Sequence, residues 1–303
     1  MANRYVGEIV NNLENKFGKL DRISSSLSLF EIRSIKTRIY FRYSKLHKLP
    51  NKYNCFYGLR QRDLKELEGH YRHNSCICFV WDKENSLIAI PYHIYEEIFS
   101  NLTPSSDGQF KVLLFFESAG TEFYIANVGK FNVDAYYGLQ QLDKVSLGLK
   151  IPELSHPQVQ SLLGSIGSIK GFNIWIPLKD STSLDYDIVS KFDIGETLPV
   201  EYSKIQYILG EVDTIWLRGN RISSLFEIEH TTPIYSGLLR FNDIYLTVSE
   251  IDKFGIVSNR ERENKFIKEI NRPTFTYSKL SDKVSFMKYE DVYLWHERLV
   301  SRL

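Results

Sequence analysis

The 303 residues carry a formal net charge of +1, with 43% hydrophobic and 25% charged residues, an ordinary soluble composition. This excludes a globally basic nucleic-acid binder, so any basic footprint has to be local. No uncharged apolar run approaches the length of a membrane span, and the amphipathic, acid-containing start MANRYVGEIVNNLENKFGKL does not have the pattern of a signal peptide.

The length predicts two domains of ordinary size, each able to bury its own core. Three cysteines do not make a disulfide framework in a chain this long, and a reducing cytoplasm is the natural setting. The stretch from about Tyr5 to Ile32 reads as helical, with apolar Val6, Ile9, Val10, Leu13 and Phe17 at helical spacing. A basic and aromatic segment follows. CICFVW and SLIAIPY are β-type runs around the turn DKEN, HIYEEIFSNL is a short helix, and QFKVLLFFES and EFYIANVG make a second hairpin around AGT. This order predicts a compact mixed α/β domain over residues 1–150.

KIPELSHPQ reads as a linker with a helix start at Ser155, opening a second domain over residues 151–303. PQVQSLLGSIGSIKG is an amphipathic helix stopped by Gly171, and FNIWIPL is a strand. EVDTIWLRGN and RISSLFEIEHT are strands joined by a tight turn at Gly219-Asn220. IYSGLLRFNDIYLTV is helical, KFGIVSN a strand, RERENKFIKEIN a charged helix, and KVSFMKYEDVYLWHERLV a strand running into a last helix. Strands alternating with helices predict an α/β (α+β) fold with mixed strand directions.

The chemistry concentrates in FEIEHTTPIYSGLLRF. Side chains at i and i+2 of a strand share a face, so Glu227 and Glu229 stand side by side with Phe226 and Ile228 opposite. Burying two like charges that close is costly without a neighbouring cation. A solvated strand face is one explanation and a metal site is the other. The hairpin can bring Asp213 beside both glutamates, and a hard divalent cation takes carboxylate oxygens plus water and substrate phosphate. Such a metal polarises a phosphodiester and lowers the pKa of an attacking water.

The stretch from about His156 to Val292 resembles a PD-(D/E)xK nuclease domain of the restriction-endonuclease fold. The resemblance rests on HPQVQSLLGSIGSIKGFNIWIP, VDTIWLRGNRISSLFEIEHTTPIYSGLLRFNDI and INRPTF. It implies that Asp213 and Glu227 hold Mg²⁺, for which Mn²⁺ can substitute, with the carbonyl of Ile228 as a further ligand. Glu229 stands where lysine is commonest. A Glu-x-Glu variant occurs among restriction endonucleases, and the resemblance makes Glu229 a general base or a ligand of a second metal. The family pattern also has an acid in the first helix where this chain has Gln158. Gln158 or Gln160 can hydrogen-bond a metal-bound water but supplies no charge, so one metal is the base case. By the same resemblance the partners are double-stranded DNA, a second copy in a homodimer and a cognate DNA methyltransferase.

Other residues have competing explanations. His230 faces away from Glu229 and suits a structural hydrogen bond better than catalysis. Thr231 and Thr232 suit capping of the following helix. Arg240 reaches either a phosphate or Asp243 three residues on. Arg272 belongs to a Pro273 turn. His70, His73, Cys76 and Cys78 raise a zinc reading, but their spacing fits no common finger, and buried free cysteines are ordinary. From Arg33 to Arg72 basic residues interleave with aromatics, and Arg38, Arg42, Lys45, Arg60 and Arg62 are DNA-contact candidates. The alternative is a solvated surface over an aromatic core.

Together these features predict a restriction or phage-defence endonuclease. Its N-terminal mixed α/β domain would recognise DNA sequence or modification, and its C-terminal mixed sheet flanked by helices would cut the backbone. The competing expectation is a nucleic-acid-binding or sensor protein that kept the fold and lost full catalysis.

Overall fold

The computed structural model describes residues 3–23, 26–68, 74–83, 86–139, 142, 151–231, 233–248 and 250–302. The chain has two compact units. One comprises residues 1–117, 121–126 and 136–150, and the other 118–120, 127–135 and 151–303. Both combine sheets with helices, as the α/β pattern predicted. Among the described residues no helix is long and apolar enough to cross a membrane.

In the first unit the opening helix spans only Arg4–Phe17. Asn3 caps it by accepting the Tyr5 N–H at 3.0 Å. Gly18 ends it at φ +87°, a conformation that costs glycine little. The helical expectation for residues up to Ile32 is therefore wrong. The chain turns into β1 (Asp21–Arg22) and β2 (Leu29–Ile32), because LFEI pairs antiparallel with residues 37–40.

β3 (Thr37–Ser44) pairs with β2, and β6 (Cys76–Trp81) with β7 (Leu87–Pro91), giving a sheet ordered β1-β2-β3-β6-β7. Ile9 and Leu13 of the opening helix share a core with Ile39, Phe41, Cys76 and Cys78. A second set places β4 (His47–Lys48), β5 (Tyr53–Arg60), β8 (Gln109–Phe116) and β9 (Thr121–Ile125) antiparallel in that order.

The second unit is built on β10 (Gly129–Asn132), β11 (Asn173–Trp175), β12 (Ile194–Gly195), β13 (Thr214–Arg218), β14 (Arg221–Glu229), β15 (Lys253–Ser258) and β16 (Val284–Lys288). Their order is β12-β11-β13-β14-β15-β16-β10. β13 runs antiparallel to both neighbours, while β14, β15, β16 and β10 are mutually parallel. Parallel strands demand helical crossovers, and the Ile234–Thr247 and Glu263–Ile270 helices supply them.

Helices cover both faces of this sheet. On one face Trp216 packs on Phe226, at 4.6 Å between ring centres, and on Trp295 of the Tyr289–Val300 helix at 5.9 Å. Each such fully buried aromatic contributes about 2–3 kcal/mol. The other face carries Glu227 and Glu229 beneath the Ile234–Thr247 helix, whose Gly237 lies against both side chains.

Candidate active site

The β13–β14 hairpin turns at Gly219-Asn220, with Arg218 paired to Arg221. Gly219 has φ +60° while Asn220 has no positive φ, the combination of a type II′ turn. A plain two-residue hairpin would continue this register and set Asp213 across from Phe226. It does not, because the ladder shifts between Trp216↔Ser224 and Leu217↔Ile222, leaving Ser223 as a bulge. Beyond the bulge Thr214 faces Phe226, so Asp213 comes opposite Glu227. Asp252 secures the bulge: its N–H donates to the Ser223 carbonyl, and its Oδ2 accepts from Ser223 Oγ, both at 3.0 Å.

Glu227 and Glu229 are 3% and 4% exposed, which rules out the solvated strand face. Arg240 Nη1 donates to Glu227 Oε1 at 2.5 Å. Arg240 is thereby paired with Glu227 rather than with Asp243. Even with that partner, burial lifts the Glu227 carboxyl to about 8, the Asp213 charge adding and Arg240 opposing. Burial pulls the Arg240 pKa down, but the Glu227 and Asp213 charges outweigh it and the net shift is upward.

Asp213 Oδ2 accepts the Ile228 N–H at 2.6 Å, which locks the two strand ends together. Its Oδ1 lies 3.4 Å from His156 Nε2, and its own carbonyl accepts from Gln160 Nε2 at 2.7 Å. The hydrogen bond to Asp213 is the largest influence on His156; burial opposes it, the Ile228 backbone adds to it, and the imidazole pKa rises. Gln160 thus braces the Asp213 main chain. Gln158 is occupied at the helix start, where its Oε1 accepts the Ser155 N–H at 2.9 Å.

A cleft of about 310 Å³ opens over these groups, lined by Asp213, Glu227, Ile228, Glu229, His156 and Arg240, with Lys179 and Glu211 among the remaining rim residues. His156, Lys179 and Glu211 were not among the sequence candidates. His156 stands in HPQVQ, but nothing local couples a histidine to an aspartate just before a strand so far along the chain. His230 also lines the cleft, is exposed, and stacks on Tyr289 at 6.0 Å with 18° between the rings. Thr231 is exposed, Thr232 lies outside the described residues, and the next helix starts from Pro233 without a side-chain cap. Arg272 lies over the Tyr235 ring at 4.3 Å and pairs with Glu269 at 2.9 Å.

Among the described residues no group of three or more His, Cys, Asp or Glu side chains is arranged to hold a metal ion. The three acids therefore do not converge as a ready ligand cluster. Glu229 instead lies beside Gly237, where a Cβ would come 2.7 Å from its Oε1. The donor set still fits a divalent cation. Asp213 and Glu227 are two carboxylates on facing positions, the Ile228 backbone borders the same cleft, and Mg²⁺ commonly completes such a set with water and phosphate oxygen.

The candidates in the first unit differ in availability. Arg38 is spent internally, on Glu31 Oε2 at 3.2 Å and the Glu66 carbonyl at 2.6 Å. Arg42 lies over the Tyr40 ring at 5.6 Å. Lys45, Arg60 and Arg62 are exposed, with Arg62 3.6 Å from Asp63. Cys55, Cys76 and Cys78 are free and buried, and burial pushes the Cys76 thiol to about 12. His70, His73 and Arg72 lie outside the described residues.

Residues 140–299, more than half of the chain, match the family described as the type II restriction enzyme NmeDI C-terminal domain. The chain belongs to this family. The type II restriction enzyme NmeDI of Neisseria meningitidis serogroup C is 30% identical over 131 residues, 40% of this chain. The match spans 37% of that enzyme's length. No solved structure matches the chain. All the cleft residues named above fall within the NmeDI C-terminal domain match.

Proposed function

We propose that the chain is a divalent-metal-dependent DNA endonuclease of the restriction or phage-defence kind, with a PD-(D/E)xK nuclease site in its second unit. One observation carries this reading: the Ser223 bulge sets Asp213 opposite Glu227 at the end of a buried sheet, in a cleft that both carboxyl groups line. Asp213, Glu227 and the Ile228 carbonyl would hold Mg²⁺, or Mn²⁺ in its place. When bound, the metal supplies phosphate polarisation and a lowered pKa for the attacking water.

The chain's own groups do the rest. Arg240 holds the Glu227 carboxylate, the Ile228 N–H and Gln160 hold Asp213, and Glu229 stands next along the same face as a general base. Membership of the NmeDI C-terminal domain family supports DNA as the substrate. We assign DNA recognition to residues 1–150, through Lys45, Arg60 and Arg62 with Arg42 and Arg38 behind them. The reading includes a cytoplasmic location, a homodimer and a partner methyltransferase.

A second reading has its own support. Arg240 already occupies one Glu227 oxygen and no lysine follows at 229, as expected of a scaffold that binds DNA without cutting it. One experiment separates the two. The parent should cut modified or unmodified duplex DNA in Mg²⁺ and not in EDTA, and Glu227→Ala should abolish cutting while DNA binding persists. Cutting by Glu227→Ala near the parent rate would overturn the assignment. A parent that binds DNA but takes up no Mn²⁺ in calorimetry would favour the second reading.

A further inference from the structure

Besides His156, which Asp213 engages, the described residues put a lysine and an arginine on the cleft wall, and they are differently committed. Arg240 is held to Glu227 deep in the site. Lys179 stands at the rim on the short helical turn Leu178–Asp180 and pairs with Glu211 at 2.7 Å. Both members of that pair are more than half exposed, 55% for Lys179 and 58% for Glu211.

Exposed pairs of this kind hold weakly, because water screens the attraction and ordering two long side chains costs entropy. Yet the pair is not a remote surface bridge. It borders the same cleft as Asp213, Glu227 and Glu229, and Asp213 and Asp180 add to the hold of Glu211 on the ammonium. The Arg240 charge in turn reaches Glu211. A phosphodiester entering this cleft brings an anion to a wall of carboxylates and needs a cation that can be freed. Arg240 cannot turn away without stranding the buried Glu227. Lys179 can leave an exposed partner at little cost.

We propose that Lys179 is the phosphate-contacting cation of this cleft and that Glu211 is a latch, holding the ammonium when the cleft is empty and releasing it to the incoming phosphodiester. This rests on the nuclease reading for the identity of the substrate, but the binding step it describes does not require cleavage. A purely structural pair would leave DNA affinity unchanged when broken, or lower it equally from either side. The latch gives opposite signs, since removing Glu211 spares the cost of release and removing Lys179 deletes the contact.

The test measures affinity for a fluorescent DNA duplex in EDTA, and cutting of the same duplex in Mg²⁺, with full-length parent, Lys179→Gln, Glu211→Gln and the double variant. Lys179→Gln should weaken binding about tenfold and lower the slope of log affinity against log salt by about one phosphate contact. Glu211→Gln should tighten binding up to about five-fold. In the Glu211→Gln background the loss of Lys179 should cost more than in the parent, because the two sites are coupled; two independent far-field charges would simply add. Unchanged or equally weakened affinity in both single variants, or strict additivity, would overturn the latch. Thermal unfolding of each variant checks that the fold is kept, as expected for two exposed side chains. If the parent binds and fails to cut while the affinities move as stated, the latch stands and the nuclease reading falls. If the parent cuts and the affinities do not move so, the reverse holds. A parent that neither binds nor cuts overturns both.

Discussion

Arg240 Nη1 lies 2.5 Å from Glu227 Oε1, and this pair couples the Ile234–Thr247 helix to the end of β14. Glu227 is buried and Arg240 is 28% exposed at its side chain, so the two partners are not equivalent. Removing the arginine strands a carboxylate; removing the carboxylate leaves a guanidinium that can turn to water. Arg240→Ala should therefore destabilise the metal-free protein by about 1–3 kcal/mol at neutral pH, less than a fully buried broken pair because Glu227 can take up a proton. Urea unfolding in EDTA checks this, and a loss no larger than that of Glu227→Gln would contradict it.

The charge state of Glu227 gives a pH signature. Its carboxyl titrates near 4.5 when unfolded and is lifted by burial to about 8 in the fold. A raised folded pKa means that the group's stabilising contribution is complete below the unfolded value and is lost as pH climbs through the folded one. His156 has the same sign, its pKa lifted above 6.5 chiefly by the hydrogen bond to Asp213. From about pH 5 to about pH 9 the metal-free parent should lose stability on the order of a few kcal/mol from these groups. Glu227→Gln should flatten that profile in urea unfolding across the range. Parallel profiles for parent and variant would refute the burial-driven shift.

Glu229 tests what the second glutamate does. Glu229→Lys exchanges a negative for a positive charge beside Glu227 and pushes a longer side chain towards Gly237. It should lose most cleavage and most Mn²⁺ affinity. Glu229→Gln should lose cleavage with less effect on metal affinity. Cleavage rates and Mn²⁺ calorimetry read out the two effects separately, and near-parent cutting by both variants would make Glu229 a bystander.

Gly237 is predicted to matter through space alone. A Cβ there would meet Glu229 Oε1 at 2.7 Å, Ile256 Cδ1 at 3.3 Å and Glu227 Cβ at 3.4 Å. The near end of that list is a carboxylate, which can move, so Gly237→Ala should fold with a cost of about 1–2 kcal/mol while displacing the acid. Cleavage should fall at least tenfold with the melting temperature nearly kept. Equal rates for Gly237→Ala and the parent would show that the Glu229 position is not critical.

Local pattern carried a good part of this molecule. The period of two put Glu227 and Glu229 on one face, the Gly-Asn pair marked the β13–β14 turn, and the apolar runs marked most strands and helices of the second unit. These are short-range properties, set by dihedral preferences and by which side of a strand or helix a residue leaves from. Propensity alone extends the opening helix to Ile32, because it does not register a glycine cap followed by strand pairing across the chain.

What the fold alone decided is the partnership at the site. A single-residue bulge at Ser223, held by Asp252, moves Asp213 from the Phe226 position to the Glu227 position. A one-residue shift reverses which face a side chain occupies, and nothing in the spacing of Asp213 and Glu227 announces it. His156, Lys179, Glu211 and Arg240 reach the cleft from separate segments, and the burial that lifts Glu227 exists only once the sheet and the Ile234–Thr247 helix have excluded water from it. Residue type and period are encoded locally, whereas register, burial and long-range contact are set by the packed chain as a whole.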